Sequence, residues 1–450
     1  MSKPFITDKQ TLDDLNILGK FKNNSIFSIF NRTISSGGER LLDKLFKEPM
    51  TDGQAIRQRS EVFEEFRNLQ LEFPVDGSVF SEAESYLRKG SYSGLPQLVL
   101  QSLRRRTLFL MGLKEEYNHD MNGVVAALKT LSAFHQFLKT NVSRISLPGL
   151  KADFQRHLDQ LEKAPQGIRN ANISEAKHNG AESDQLGWLQ ALRYELTLRR
   201  KLSAGIEALL DFAHELDVYI AVGNVSRELN LQTPEIREPH ENVFYVENAY
   251  HPAIKNAVPN TVSMSREQNF IFLTGANMAG KSTIMKTVGV NYYLAHIGFP
   301  VAAESMAFSP KEGIFTSINV PDNLDMGYSH FYAEVLRVKQ VAEQVASGKD
   351  LLIIFDELFK GTNVKDAFDA TLAVSKSFSA YENCLFIIST HIVEVGHELK
   401  SHHYNVQYRY MPTVMEGNVA HYPYKVAEGI SDDRHGMMIN KNEKILDILA

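Results

Sequence analysis

The chain has 450 residues, of which 43% are hydrophobic and 23% charged, and this is the composition of an ordinary globular protein with two or three domains. Its formal net charge of −6 excludes a uniformly basic surface, so any contact with nucleic acid must come from local patches. The single cysteine, Cys384, excludes an intramolecular disulfide and a cysteine-based zinc site.

The first half of the chain carries the apolar spacing of helices and few strand patterns. One clear stripe recurs at three- and four-residue intervals and consists of Ile206, Leu209, Leu210, Ala213, Leu216 and Ile220. An earlier helical stretch begins near residue 100 and continues from Val124 to Leu138. The polar segment 165–187 is interpreted as a long loop or a connection between helices. The sequence therefore predicts an all-α domain over residues 1–240.

The pattern changes near Pro234, and from there strands alternate with helices. Strands are predicted at 243–246, 270–274, 314–318, 351–355 and 384–389, and helices from Lys281, near 331–346 and near 366–380. This alternation is typical of a mostly parallel α/β sheet with helices on its faces. We expect an α/β domain over residues 241–450.

The turn between the strand at 270–274 and the helix from Lys281 has a phosphate-binding pattern. Residues 275–282 match G-x-x-x-x-G-K-[ST], and the nucleotide-binding set is Thr274, Gly275, Ala276, Asn277, Met278, Ala279, Gly280, Lys281, Ser282 and Thr283. Backbone N–H groups of such a loop can point at phosphates, while Lys281 adds a positive charge and the Ser282 hydroxyl suits a Mg²⁺ ion. A chance match is the competing interpretation, and the flanking strand and helix argue against it.

Two further predicted strands end in polar side chains. Asp356 and Glu357 follow the apolar run 351–355, so Asp356 is expected to hold Mg²⁺ and Glu357 to polarise an attacking water. His391 follows the strand at 384–389 and is expected near the γ-phosphate. With Lys281, Glu357 and His391 form the predicted catalytic set. The alternative interpretations are surface acids after a buried strand and a structural histidine.

Other nucleotide-binding classes fit less well. A small GTPase needs an Asn-Lys-x-Asp motif, which residues 440–443 approach without the aspartate. A small-molecule kinase needs a lid and an acceptor pocket, for which the sequence shows no pattern. An acidic pair followed by a strand-end histidine is instead typical of ATPases that sandwich the nucleotide between two subunits.

These motifs together resemble the MutS family of DNA mismatch-repair ATPases. Residues 274–283 resemble the family's T-G-P-N-M-G-G-K-S-T, with Ala276 and Ala279 as departures. The other similar segments are Val301–Glu304, Asp356–Glu357 with Gly361–Asn363, Thr390–His391, His251–Pro252 and Gly429–Ser431. The resemblance implies an ABC-type P-loop ATPase domain preceded by a helical lever or core domain. It also implies ATP and Mg²⁺ as ligands, with His251 near the adenine.

The segment 322–334 resembles the part of the family that reaches the nucleotide of a partner subunit, and this gives Ser329 a role at the γ-phosphate. The resemblance thus implies a homodimer, DNA as a partner, and repair or recombination proteins as candidate further partners. The chain begins at the family's lever, so we expect it to lack the mismatch-reading and connector domains. We also expect the DNA clamp to be reduced or missing.

Three functions remain open on the sequence alone. The leading hypothesis is a MutS-type ATPase in DNA repair whose nucleotide state moves helical levers. The second is a nucleotide-gated scaffold that binds a protein instead of DNA. The third is an ABC-type ATPase that serves another process, but the L-S-G-G-Q signature of that class is absent from this sequence. No apolar stretch approaches membrane-spanning length and no signal peptide is visible, so we expect a cytoplasmic protein without membrane contact.

Overall fold

The structure is a computed structural model of the chain. It describes residues 3–19, 24–88, 100, 102–104, 106, 107, 110–112, 114–165, 188–201, 203–318, 330–402, 405–416 and 419–431. Most of the polar segment predicted at 165–187 lies outside these residues, as do Ser329 and the segment 440–443.

Contacts between residues divide the chain into two units. The sheet unit contains residues 1–30, 45–61 and 225–450, and the helical unit contains residues 31–44 and 62–224. This division differs from a single cut near residue 240, because two N-terminal segments pack within the sheet unit. Ile6, for example, pairs in parallel with Gly313 at the edge of the main sheet, where its N–H donates to the Glu312 carbonyl (2.7 Å).

The described chain is helical up to residue 228, as predicted. The helices are α1 (Lys9–Asp14), α2 (Ile26–Phe30), α3 (Ser36–Lys47), α4 (Gly53–Leu69), α5 (Gly77–Arg88), α6 (Lys114–Asn141), α7 (Pro148–Glu162), α8 (Trp188–Lys201) and α9 (Ser203–Glu228). The apolar stripe at 206–220 lies on α9 and is buried. No helix in the described part of the chain has both the length and the apolar character needed to cross a membrane.

The helical unit has an apolar core in which aromatic rings meet edge to face. Phe73 lies 5.3 Å from Phe80 and 5.6 Å from Phe134, measured between ring centroids. A buried carboxylate also holds this unit together. Asp217 accepts hydrogen bonds from the Ser35 N–H (2.7 Å) and hydroxyl (2.6 Å) and from the Ile34 N–H (2.9 Å). These bonds satisfy backbone donors just before α3 begins.

The predicted alternation of strands and helices is present in the second half. The strands are β1 (Glu235–Ile236), β2 (Phe244–Ala249), β3 (Asn260–Met264), β4 (Phe270–Gly275), β5 (Ser305–Phe308), β6 (Gly313–Ser317), β7 (Leu351–Asp356), β8 (Leu385–Ser389), β9 (Val406–Met411), β10 (Val414–Glu416), β11 (Val419–His421) and β12 (Ala427–Glu428). The helices are α10 (Lys281–His296), α11 (His330–Ala346), α12 (Val364–Ser379) and α13 (Val393–Ser401).

The main sheet has the strand order β12-β9-β4-β8-β7-β6 in the described residues. All neighbours from β9 to β6 pair in parallel, and β12 adds an antiparallel edge. The register pairs Ser389 with both Leu273 and Asp356. Because parallel strands point the same way, the polar residues that follow β4, β7 and β8 meet at one edge of the sheet.

A second sheet, with the order β1-β5-β2-β3, was not anticipated from the sequence. The predicted strand at 243–246 is β2, and it pairs antiparallel with β3 and β5 instead of joining the parallel sheet. Side chains of β3 alternate between buried and exposed, as expected for a sheet with one face in water. This sheet supplies one wall of the cleft described below.

Between these sheets lies a group of buried polar residues that includes the single cysteine. Burial raises the pKa of the Cys384 thiol to about 11, and the thiol donates to the Lys349 carbonyl (3.1 Å), which agrees with a structural role. The Lys311 ammonium is 2% exposed and donates to the Asn383 carbonyl (2.8 Å) and to the side-chain oxygen of Asn242.

Candidate functional site

The turn from β4 into α10 is shaped by two glycines. Gly275 has φ 132° and Gly280 has φ 99°, both in the region that residues with a Cβ rarely adopt. A Cβ at Gly275 would lie 2.7 Å from the Met411 carbonyl oxygen, and one at Gly280 would lie 3.1 Å from the Tyr424 ring. The chain therefore needs glycine at both positions to turn closely into the N-terminus of α10, where free N–H groups favour an anion.

Lys281 lies inside this turn. Its ammonium donates to the carbonyls of Gly275 (2.7 Å) and Ala276 (3.2 Å) and to the side-chain oxygen of Asn277 (3.4 Å). Burial lowers the pKa of Lys281, while the nearby carboxylates of Glu357 and Asp356 act in the opposite direction. The Lys281 ammonium lies 4.0 Å from Glu357, so it is held between the loop and the acidic end of β7.

Two oxygen ligands meet where β7 ends beside α10. The Ser282 hydroxyl donates to the Asp356 carboxylate (2.5 Å), and the Ser389 hydroxyl donates to its other oxygen. Carboxylate and hydroxyl oxygens are the ligands that Mg²⁺ prefers, and this ion usually takes only one or two from the protein. The described residues contain no group of three or more His, Cys, Asp or Glu side chains that could hold a metal alone. The pair fits Mg²⁺ whose other ligands are phosphate and water oxygens.

Glu357 follows Asp356 in a strained backbone conformation. Its φ of 54° is uncommon for a residue with a side chain, and its N–H donates to the Ser389 carbonyl (3.0 Å). This bond ties the end of β7 to the end of β8. His391, two residues beyond β8, has an exposed side chain at the same edge, after Thr390, whose N–H donates to the Leu273 carbonyl (3.1 Å).

A cleft of about 470 Å³ opens beside the loop. Its lining includes predicted loop residues (Asn277, Met278, Gly280, Ser282 and Thr283) together with His251. Burial lowers the pKa of His251 to about 4, and the positive charge of Lys286 acts in the same direction. The imidazole is therefore neutral at pH 7, and its Nδ1 accepts the Ala253 N–H (3.3 Å).

The cleft lining also includes Asn260, Met411 and Tyr424, none of which was predicted from the sequence. Tyr424 is 46% exposed, and its ring covers Gly280. It lies between β11 and β12, far from the loop in the sequence. The one sequence signal near Tyr424 is the pair of tyrosines in Tyr422–Tyr424, and its spacing does not indicate a site.

The remaining predicted residues have different surroundings. Thr274 is buried, and its hydroxyl accepts the Ser431 N–H (2.9 Å). This bond connects the start of the loop to the chain at residue 431. Ala279 is buried as well, whereas Met278 is 66% exposed at the tip of the loop. Ala276 precedes a short 3₁₀ turn, Asn277–Ala279. Ser329, the residue predicted to reach a second subunit, lies outside the described residues.

The arrangement as a whole suits a polyphosphate. A helix N-terminus and a buried ammonium provide positive potential, two oxygen ligands can hold a cation, and a cleft with apolar walls adjoins them. The Glu357 carboxylate lies next to the Lys281 ammonium. The hydroxyls of Ser282 and Ser389 bond to Asp356 and not to Glu357.

Comparison with known proteins identifies two domain types. A family model described as MutS domain III matches residues 10–223, and one described as MutS domain V matches residues 271–447. Together they cover most of the chain, and the second contains the loop, the acidic pair and His391.

The chain is also similar to curated proteins named DNA mismatch repair protein MutS. The one from Thermosipho melanesiensis is 22% identical over an alignment that covers 100% of this chain and 65% of the relative. The one from Thermotoga maritima is 22% identical over 98% of this chain and 64% of the relative. That from Petrotoga mobilis is 30% identical over 52% of this chain and 29% of the relative. The chain thus spans just under two thirds of the length of the first two relatives.

Proposed function

The chain belongs to the MutS family, and on that premise we propose that it binds ATP with Mg²⁺ at the 274–283 loop and hydrolyses it. The observation that carries this proposal is the hydrogen bond between Ser282 and Asp356 (2.5 Å). It joins the first residues of α10 to the end of β7 with a spacing that suits two ligands of one small cation, directly beside the buried ammonium of Lys281.

The predicted phosphate-binding, metal-binding and catalytic residues have distinct roles in this proposal. Lys281 and the loop N–H groups bind the phosphates, because both present positive charge in a partly buried turn. Ser282 and Asp356 hold Mg²⁺, which neutralises phosphate charge when bound. Glu357 orients and deprotonates the attacking water, and the positive φ at this residue sets the direction of its Cα–Cβ bond.

The cleft accepts the nucleoside. His251 is neutral at pH 7, so it can pack near the adenine without the cost of a buried charge. Tyr424 supplies an aromatic face beside Gly280. His391 is the candidate for sensing the γ-phosphate, because β8 ends between β4 and β7, the strands that precede the loop and the acidic pair.

We assign the predicted α/β domain, residues 241–450, as an ABC-type P-loop ATPase domain and the predicted domain 1–240 as a lever or core domain, although its segments 1–30 and 45–61 pack within the sheet unit. The parallel order of β9, β4, β8, β7 and β6 supports the first assignment, and the match to MutS domain III supports the second. Nucleotide binding and hydrolysis would then change the conformation of the helical levers.

A dimer with composite sites and a contact with DNA complete the proposal. The relatives are named for DNA mismatch repair, which supports DNA repair as the process and gives no support to the scaffold alternative. Repair or recombination proteins are the candidate further partners.

The Glu357→Gln variant tests hydrolysis. The substitution keeps the shape of the side chain but removes the base, so MgATP should bind within about twofold of the unaltered protein while turnover falls at least about 100-fold. Lys281→Ala should lose MgATP binding instead. Turnover of Glu357→Gln equal to that of the unaltered protein would refute the role of Glu357.

The composite site is tested by mixing subunits. Ser329→Ala and Lys281→Ala proteins should each be inactive, and their mixture should recover part of the activity through one intact site. Failure of every mixing ratio to recover activity argues against a composite site.

DNA binding is tested by gel shift with duplex, branched and single-stranded DNA at about 50 and 200 mM salt, because phosphate contacts weaken as salt rises. If no DNA is shifted even at low salt, the proposed role in DNA repair is refuted. The proposal of ATP hydrolysis is unaffected by that result.

A further inference from the structure

Asn260, the first residue of β3, joins two segments of the cleft wall, residues 258–260 and residues 424–426, through one buried side chain. Its amide nitrogen donates to the carbonyls of Val258 (3.1 Å) and Tyr424 (2.9 Å), and its oxygen accepts the Val426 N–H (2.8 Å). The residue is only 6% exposed. An amide that is bonded on both sides in this way fixes the distance between the backbone segments that it joins.

Tyr424 needs such a support. Its φ of 56° lies in the left-handed region, which costs an aromatic residue free energy unless the surroundings impose it. Its ring is half exposed, so burial alone does not hold it over Gly280. The neighbouring Lys425 ammonium adds a bond to the Pro259 carbonyl, on the same side of the segment.

We propose that Asn260 is a positioning residue for nucleotide binding: it holds Tyr424 at the angle at which its ring forms one wall of a purine-binding cleft. This inference rests on the proposed function. It assigns recognition of the base to Asn260 and Tyr424, separately from recognition of the phosphates by the loop. Loss of the Asn260 amide frees the backbone of Tyr424, while the loop and its glycines remain as they are.

The consequence differs between ligands. MgATP contacts the cleft and the loop, whereas magnesium tripolyphosphate contacts the loop alone. Stacking of a base on an aromatic ring contributes free energy that corresponds to about a tenfold change in affinity. Asn260→Ala should therefore weaken MgATP binding about tenfold and change tripolyphosphate binding less than about twofold.

Asn269 provides a matched control in the same unit. It is fully buried, and its amide donates to the carbonyls of Tyr381 (2.9 Å) and Cys384 (3.0 Å). It precedes β4, at the end of that strand opposite to the loop. Asn269→Ala removes a comparable pair of bonds, so it controls for a general loss of stability and should leave the affinity for MgATP unchanged.

The experiment is isothermal titration calorimetry of the full chain with MgATP and with magnesium tripolyphosphate. The proteins are the unaltered chain, Asn260→Ala, Asn269→Ala, Tyr424→Ala and the double variant Asn260→Ala/Tyr424→Ala. Because Asn260 acts through Tyr424, the double variant should bind MgATP as weakly as Tyr424→Ala alone. Hydrogen exchange of the peptide that contains residues 422–426 should be faster in Asn260→Ala without nucleotide, because the Val426 N–H loses its acceptor.

Three results would overturn the inference: MgATP affinity of Asn260→Ala equal to that of the unaltered chain, an equal loss for tripolyphosphate, or full additivity in the double variant. If Asn260→Ala does not fold, Asn260→Asp takes its place, since it keeps the acceptor for Val426 and loses both donors. If the unaltered chain binds tripolyphosphate but not MgATP, the purine cleft and this inference fall together. If it binds neither, the proposed ATP site itself is wrong.

Discussion

The ammonium of Lys311 is buried in the sheet unit, and we predict that it makes stability depend on alkaline pH. Burial lowers its pKa from 10.5 to about 8, although the charges of Asp350 and of the Cys384 thiolate form act in the opposite direction. The ammonium has two acceptors, the Asn383 carbonyl and the Asn242 side chain. The perturbation is Lys311→Met, which keeps most of the side-chain volume and cannot be charged.

The sign follows from proton binding. Between pH 8 and 10.5 the unfolded chain holds a proton on this lysine that the folded chain has lost, so the free energy of unfolding rises with pH. The shift of about 2.5 pH units, at about 1.4 kcal/mol per unit, corresponds to about 3 kcal/mol across this range. Below pH 8 both states are protonated, and this contribution no longer changes.

The assay is urea unfolding of both proteins at several pH values from 7.5 to about 10.5, followed by circular dichroism. Hydrogen exchange of peptides from β7 and β8 reports the sheet unit separately, in case the two units unfold in separate steps. The difference between the unaltered protein and Lys311→Met should grow with pH by about 3 kcal/mol. A difference that stays constant from pH 8 to 10.5 would show that the ammonium is not penalised by burial.

Three further predictions concern the helical unit, the cleft and the loop. Asp217→Ala leaves three donors at Ile34 and Ser35 without their acceptor, so urea unfolding should show a loss of at least about 2 kcal/mol; a loss below about 0.5 kcal/mol would contradict this account. His251 has a pKa of about 4, so between pH 6.5 and 4 the unfolded state binds a proton that the folded state does not. The free energy of unfolding should therefore decrease as pH falls through this range, and His251→Gln should reduce the slope; an unchanged slope counts against a buried neutral imidazole. Gly280→Ala places a Cβ at φ 99° and 3.1 Å from the Tyr424 ring, so calorimetry should show at least about tenfold weaker MgATP binding with a change in Tm of only a few degrees; normal affinity would show that the turn tolerates a side chain.

The turn that we propose as a phosphate-binding loop could be predicted from the sequence because its parts are contiguous. Gly275, Gly280, Lys281 and Ser282 lie within one turn, so their spacing alone predicts a strand, a tight loop and a helix N-terminus. Asp356 and Glu357 could be predicted for a similar reason, because they directly follow a wholly apolar run. A buried strand of a parallel sheet has no polar face, so such a run marks the strand and its end. The strand limits observed for β4 and β7 lie within a residue of those predicted.

Neither the second sheet nor the packing of the N-terminal segments within the sheet unit could be predicted in this way. Ile6 joins the edge of the main sheet far from Gly313 in sequence, and no local pattern encodes that pairing. The first three residues of β2, Phe244–Val246, are as apolar as those of a strand of the parallel sheet. Which sheet it joins is decided by its partners β3 and β5, and such long-range pairings depend on the packing of the whole unit.

The sequence by itself determined the turn at 274–283 and the polar residues that follow β7 and β8, because their spacing is set by neighbours along the chain. Only the tertiary structure brought Asn260 to Tyr424, residues far apart in the sequence, and gave Lys311 and His251 their shifted pKa values. The physical reason is that stacking surfaces, burial and amide bridges depend on distances across the fold, which the spacing of residue types along a chain does not specify.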